Sequence, residues 1–249
     1  VENLVFDGDV NFRNFFESVC EHGSFESWLK MAKKIRQGRV FARILLAASF
    51  ASVLVRPLGG LPFFVHIWGV TEVGKTVGLM LAASVWANPE LGRYIHTFNS
   101  TAVGREKSAA FVNSLPLILD ELQIIKDKRD FDQSIYMLSE GAGRTRGNKS
   151  GGVDKTPTWS NCILTSGEMP ITSSTSGGGA VNRILEIECT ERLFDDPRTV
   201  ANEIKGNYGF AGKKFVESLQ RPGEMEHAKS LYGRIYTEVK TDDIMEKQA

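Results

Sequence analysis

The chain has 249 residues, 42% of them hydrophobic and 24% charged, enough for one sizeable core or a core domain with a small appendage. Its 30 basic and 30 acidic residues cancel, so no global field attracts nucleic acid and any such binding has to be local. Three scattered cysteines (Cys20, Cys162, Cys189) and no clustered histidine exclude a disulfide framework and a zinc site, and they fit a reduced, cytoplasmic setting.

The first residue is valine rather than methionine, which reads as a piece of a longer protein. Residues 1–38 read as a helical lead-in. Phe12, Phe15, Phe16 and Val19, then Trp28, Met31 and Ile35, recur at helical spacing and predict one or two short helices whose aromatic stripe packs into the core. Arg39 to Val55 is the most apolar run, closed by Pro57-Leu58-Gly59-Gly60. Its uninterrupted part, Ile44 to Val55, is too short to span a bilayer. It reads as a buried helix packed on a sheet, and no membrane contact is expected.

Phe63 to Trp68 is strand-like and runs into Gly69-Val70-Thr71-Glu72-Val73-Gly74-Lys75-Thr76, followed by a helix-like run from Val77 to Ala87. Strand, G-x-x-x-x-G-K-T and helix in that order form a phosphate cradle. The glycines let the loop turn its N–H groups inward, and the helix N-terminus adds partial positive charge. Lys75 is expected on the β- and γ-phosphates of ATP and the Thr76 hydroxyl on Mg²⁺, with Val77 completing the nucleotide-binding set.

Asn88-Pro89 and Gly92 break the helix. Tyr94 to Asn99 reads as a second strand, and Ser100-Thr101 as the cap of a helix over 102–113 with Glu106 and Lys107 on its exposed side. His66 and His96 read as satisfied structural histidines. Leu115 to Glu121 is an apolar strand ending in two acids, 45 residues from Lys75 to Asp120. In a parallel sheet such a strand ends at the ligand crevice. Asp120 is expected to hold Mg²⁺, and Glu121 to orient or deprotonate water, so hydrolysis is the expected chemistry.

Phe131 to Glu140 reads as a helix. The next segment, 141–155, holds five glycines and four basic residues, Arg144, Arg146, Lys149 and Lys155, against Asp154. That local patch suits backbone phosphates of DNA; a solvated hairpin, or a loop reaching a neighbouring subunit's nucleotide, is the alternative. Trp159 to Ser166 is a further buried strand whose tip offers Thr165 and Ser166 to the γ-phosphate or the attacking water. Thr172 to Gly179 reads as a mobile loop. Ala180 to Glu188 is the last strand, with Arg183 at its start either neutralising a transferring phosphoryl group or forming a strand-edge salt bridge. After Asp195-Asp196-Pro197 come helices over 198–205 and 210–219 and a charged amphipathic segment from Glu224 onward. Three parts are expected: residues 1–38, an ATPase core over 39–194, and a helical lid over 195–249.

The P-loop, Phe98-Asn99-Ser100-Thr101-Ala102-Val103-Gly104, Leu117-Ile118-Leu119-Asp120-Glu121, Tyr136-Met137-Leu138 and Ile163 to Glu168 together resemble the helicase-like P-loop ATPase domain of phage, plasmid and genomic-island proteins, long catalogued as a domain of unknown function. The resemblance covers roughly Arg39 to Leu219. It implies an α/β fold of AAA+ type, with a mostly parallel central sheet flanked by helices and a small helical C-terminal part, related to superfamily III and minichromosome-maintenance helicases. It also implies a homo-oligomeric ring, a hexamer, with ATP sites at subunit boundaries. Lys75, Thr76, Asp120 and Glu121 are then the hydrolytic set, Ser166 the sensor, Arg183 the trans-acting arginine (Arg144 or Arg146 being alternatives), and the 141–155 loop the grip on single-stranded or duplex DNA. The expected function is ATP-driven DNA translocation during replication of a mobile element. An ATP-controlled assembly or regulatory module is the alternative, and a small-molecule kinase a third reading.

Overall fold

The structure, a computed structural model, describes residues 8–98, 101–121, 128–147, 151–171 and 183–239. Its frame is a five-stranded sheet: β1 (Phe63–Trp68), β2 (His96–Thr97), β3 (Leu117–Asp120), β4 (Cys162–Gly167) and β5 (Ile184–Glu188). The strand order is β2-β3-β4-β1-β5 and every pairing is parallel. All of β3 and β4, and the middle of β1, are buried, as expected of parallel strands covered by helices.

The helices are α1 (Arg13–Ser18), α2 (Phe25–Arg36), α3 (Val40–Ala51), α4 (Lys75–Ser84), α5 (Ala102–Val112), α6 (Lys128–Glu140), α7 (Pro197–Gly206), α8 (Phe210–Leu219) and α9 (Glu224–Val239). The apolar run after Arg39 forms α3, which packs on α4 and β4. Phe15 of α1 is buried against Tyr94, His96 and Phe111. On α2, the Trp28 indole donates to Ser84 Oγ of α4 at 3.0 Å. The lead-in also meets the C-terminal helices, through a backbone bridge between His22 and Tyr208 and the Phe25–Phe210 ring contact. α8 closes on Trp86, whose ring occupies the space above Gly212. No residue of α9 is buried.

Three expectations need correction. The strand read over 94–99 is only two residues long among the described ones, because Tyr94 and Ile95 are spent on a turn in which Gly92 N–H meets Ile95 O. Thr101 does cap α5, accepting from Gly104 N–H at 3.1 Å, but Glu106 is buried rather than exposed. His66 is satisfied on both ring nitrogens, whereas His96 Nε2 is buried with no hydrogen-bond partner among the described residues. The loop read over 172–179 lies outside the described residues. Among the described residues no helix is long and apolar enough to cross a membrane.

Candidate functional site

The loop between β1 and α4 is shaped by backbone that most side chains refuse. Gly69 sits at φ 138° and Gly74 at φ 92°, both in the left-handed region. A Cβ on Gly69 would also stand 2.8 Å from the Cys189 carbonyl oxygen. Glu72 is driven to φ 69° between them. The segment leaving β5 braces the loop from behind: Cys189 N–H donates to Trp68 O at 2.7 Å and Leu193 N–H to Val73 O at 2.8 Å. Val73 and Leu193 are buried there, while Val70 is 70% exposed. Burial pushes the Cys189 thiol up to about 11, so it is an inert packing group beside the loop.

α4 starts at Lys75, so Lys75, Thr76 and Val77 form its first turn, whose N–H groups have no acceptor within the helix. Lys75 Nζ donates to the carbonyls of Gly69 and Val70, 2.7 Å from each. Thr76 Oγ1 donates to Asp120 Oδ2 at 3.0 Å. The other carboxylate oxygen of Asp120 accepts from Ser166 Oγ and, at 3.1 Å, from Glu121 N–H. Glu121 N–H also lies 3.3 Å from Ser166 Oγ. Asp120 is thus 3% exposed and gripped from three sides, while Glu121, at φ 58°, turns off the strand end into solvent.

The strand order explains the meeting. β4 lies between β1 and β3, so its tip is flanked by the loop on one side and the acids on the other. Alternation along β4 separates the two sensor candidates. Ser166 faces Asp120, whereas Thr165 faces His66, whose Nδ1 accepts from the Thr165 hydroxyl at 2.9 Å. The opposite ring nitrogen donates to Met169 O at 2.9 Å, which fixes the neutral tautomer. Burial lowers the His66 pKa, keeping it uncharged.

The other sequence candidates lie elsewhere. Arg183 precedes β5, at the opposite end of the strands from the loop, where its Nη1 donates to Ser139 O at 2.7 Å. No partner carboxylate holds it among the described residues, so the salt-bridge alternative is not found. Among the described residues the two arms of the glycine-rich segment pair antiparallel, a hairpin arrangement with bridges Ala142–Thr158 and Gly147–Val153, between α6 and the start of β4, again away from the loop within one chain. Arg144 and Lys155 are exposed on it, and Lys149 lies outside the described residues. Arg146 departs from expectation: it forms a bidentate pair with buried Glu106, at 2.8 and 2.6 Å. Sequence reading missed Glu106 because its partner is forty residues away; the paired glycines and arginines of 141–146 were the signal available. It also missed the Thr165–His66 pair, which strand alternation could have found.

Thr76 and Asp120 fit Mg²⁺, which is held by few protein oxygens together with phosphate and water. Among the described residues no cluster of three or more His, Cys, Asp or Glu side chains offers a site for a metal held by protein alone.

Residues 10–159 match the family described as "Domain of unknown function (DUF927)". No curated protein matches. The chain is similar in fold to a solved structure described as "SCCmec type IV Cch - active helicase", with TM-score 0.72 and 18% identity over 92% of this chain. The match spans 44% of that protein's length.

Proposed function

The chain belongs to the DUF927 family, and on that premise we propose that it is an AAA+-type ATPase whose hydrolysis cycle drives DNA through a ring, a hexamer of this domain, in replication of a mobile element. The observation that carries the reading is Asp120 held jointly by Thr76, Ser166 and the Glu121 backbone at the mouth of a phosphate loop. Gly69 to Thr76 and Val77 wrap the triphosphate with backbone N–H groups, and Lys75 neutralises the β- and γ-phosphates. Thr76 and Asp120 would hold Mg²⁺, which would supply positive charge to the phosphates. Glu121 stands exposed off the strand end, where its carboxylate would take a proton from water. Ser166 fixes the Asp120 rotamer and lies between the acids and the loop, where a sensor of the γ-phosphate belongs. Arg183, far from its own loop, acts on a neighbour's phosphates across a subunit boundary. The hairpin offers Arg144 and Lys155 to DNA phosphates. The solved helicase of similar fold supports this reading.

Steady-state ATP hydrolysis with and without single-stranded DNA tests it. The expected result is stimulation by DNA, with activity falling at least ~100-fold in Lys75→Ala and Glu121→Gln. Hydrolysis indifferent to DNA at low salt would replace it with the second reading, an ATP-controlled assembly module without unwinding. Withdrawal of Arg146 from the basic patch is the observation that favours that alternative.

A further inference from the structure

One buried carboxylate holds a whole strand of the hairpin. Glu106 of α5 is 2% exposed. Its Oε1 accepts from Arg146 Nη1 at 2.8 Å and from Arg144 N–H at 3.1 Å, and its Oε2 accepts from Arg146 Nη2 at 2.6 Å. Gly143 passes so close that a Cβ there would stand 1.9 Å from Glu106 Oε1. Contacts at 143, 144 and 146 therefore converge on one side chain. The second strand hangs from the first, through Gly143 N–H to Pro157 O and Asp154 N–H to Arg146 O, both 2.8 Å, and through the Thr145 and Thr156 hydroxyls 3.2 Å apart.

The helix that carries Glu106 is itself tied to the acidic strand. Phe98 N–H donates to Asp120 O at 3.2 Å, and Arg105 Nη1 donates to Phe98 O at 3.2 Å. Arg105 also reaches Ser134 Oγ of α6 at 2.7 Å. α5 is thus fixed at one point beside Asp120 and at the next residue to the hairpin.

We propose that Glu106 and Arg146 are positioning residues: their ion pair seats the hairpin on α5 in register with the acidic strand, and Arg146 does not contact DNA. This rests on the reading that the hairpin meets DNA, and among the described residues it narrows the phosphate contacts to Arg144 and Lys155. The planar fork of arginine matches both carboxylate oxygens at once, a geometry lysine does not reproduce. A carboxylate this buried is not left without its partner at little cost, so the pair persists while the hairpin is seated.

The two roles of Arg146 give opposite signs in one variant. In Glu106→Gln, a phosphate-binding Arg146 would be released and the chain would bind a labelled oligothymidylate more tightly. A positioning pair would instead be broken, and binding would weaken although a negative charge is gone. We expect weaker binding by ~10-fold, together with amide exchange across 143–147 and 152–158 faster by ~10-fold, while β1 amides stay protected. Arg146→Lys keeps the charge and loses the fork, and is expected to behave the same way. Unchanged hairpin exchange in both variants, or tighter binding by Glu106→Gln, overturns the proposal. If the native chain binds no oligothymidylate, the DNA reading falls, and exchange alone still decides whether the pair seats the hairpin.

Discussion

Asp120 is the residue on which the site turns, and its two oxygens are spoken for by different elements, Thr76 on α4 and Ser166 on β4. Ser166→Ala removes one grip while leaving the Glu121 N–H bond. If the chain hydrolyses ATP as proposed, that hydrolysis is expected to fall ~10- to 100-fold with little change in melting temperature, because a small displacement at the site is costly in rate; an unchanged kcat would deny Ser166 that role. His66 and His96 make a second prediction. Burial lowers both pKa values below the ordinary 6.5, so the unfolded chain binds protons first as pH falls. Stability is fully present above pH 6.5 and declines from there down to each lowered native value, by about 1.4 kcal/mol per pH unit for each histidine within its window. Urea midpoints measured across that range should show the slope, and His66→Gln should reduce it. The glycine loop before α4 and the meeting of Thr76 with Asp120 were legible at this scale from spacing and flanking runs. Glu106 was not, since a carboxylate between Arg105 and Lys107 looks solvent-facing until its distant partner is known.

Among the elements, α8 and α9 each carry a glycine with opposite surroundings. A Cβ on Gly212 would meet the Trp86 ring at 2.1 Å. That indole is pinned by its bond to Ser49 Oγ at 3.0 Å, and Ser49 is pinned in turn to Ala82 O. Gly212→Ala should therefore destabilise by about 1–3 kcal/mol despite the better helix former, read as a thermal midpoint lower by roughly 5 °C. Gly233 of α9 has open space around it, and Gly233→Ala should slow amide exchange along α9 through propensity alone, worth about 0.5–1 kcal/mol. Acid should act on the hairpin. The hydrogen bonds from Arg146 hold the Glu106 carboxyl below its ordinary 4.5. The pair's contribution is then complete above pH 4.5 and is lost as pH falls through the lowered native value, seen as faster exchange at 143–147. The strands β1, β3, β4 and β5 were legible as apolar runs. The hairpin's ladder was not, because glycine-rich sequence specifies flexibility and the seat that orders it is on another helix.

Across the whole molecule, the helical lead-in behaves as part of one core. Trp28 spans from α2 to Ser84 on α4, and Tyr208 returns to His22 from the other end of the chain. Removing residues 1–38 should abolish cooperative melting or cause aggregation; a retained transition at the native midpoint would show the lead-in to be dispensable. The order of the strands also sets a timetable. Phe64, Val65 and Ile67 lie in β1, whose strand partners are β4 and β5, and the paired residues of those begin at Cys162 and Ile184. β1 therefore leaves the ribosome roughly a hundred residues before its first neighbour, an interval of about 5–20 s at ordinary elongation rates. For that time an aromatic, β-prone strand has no legitimate partner within its own chain, so the burden falls on α3 and α4 to shield it, and nascent chains stalled before residue 162 should be the species that chaperones hold most firmly.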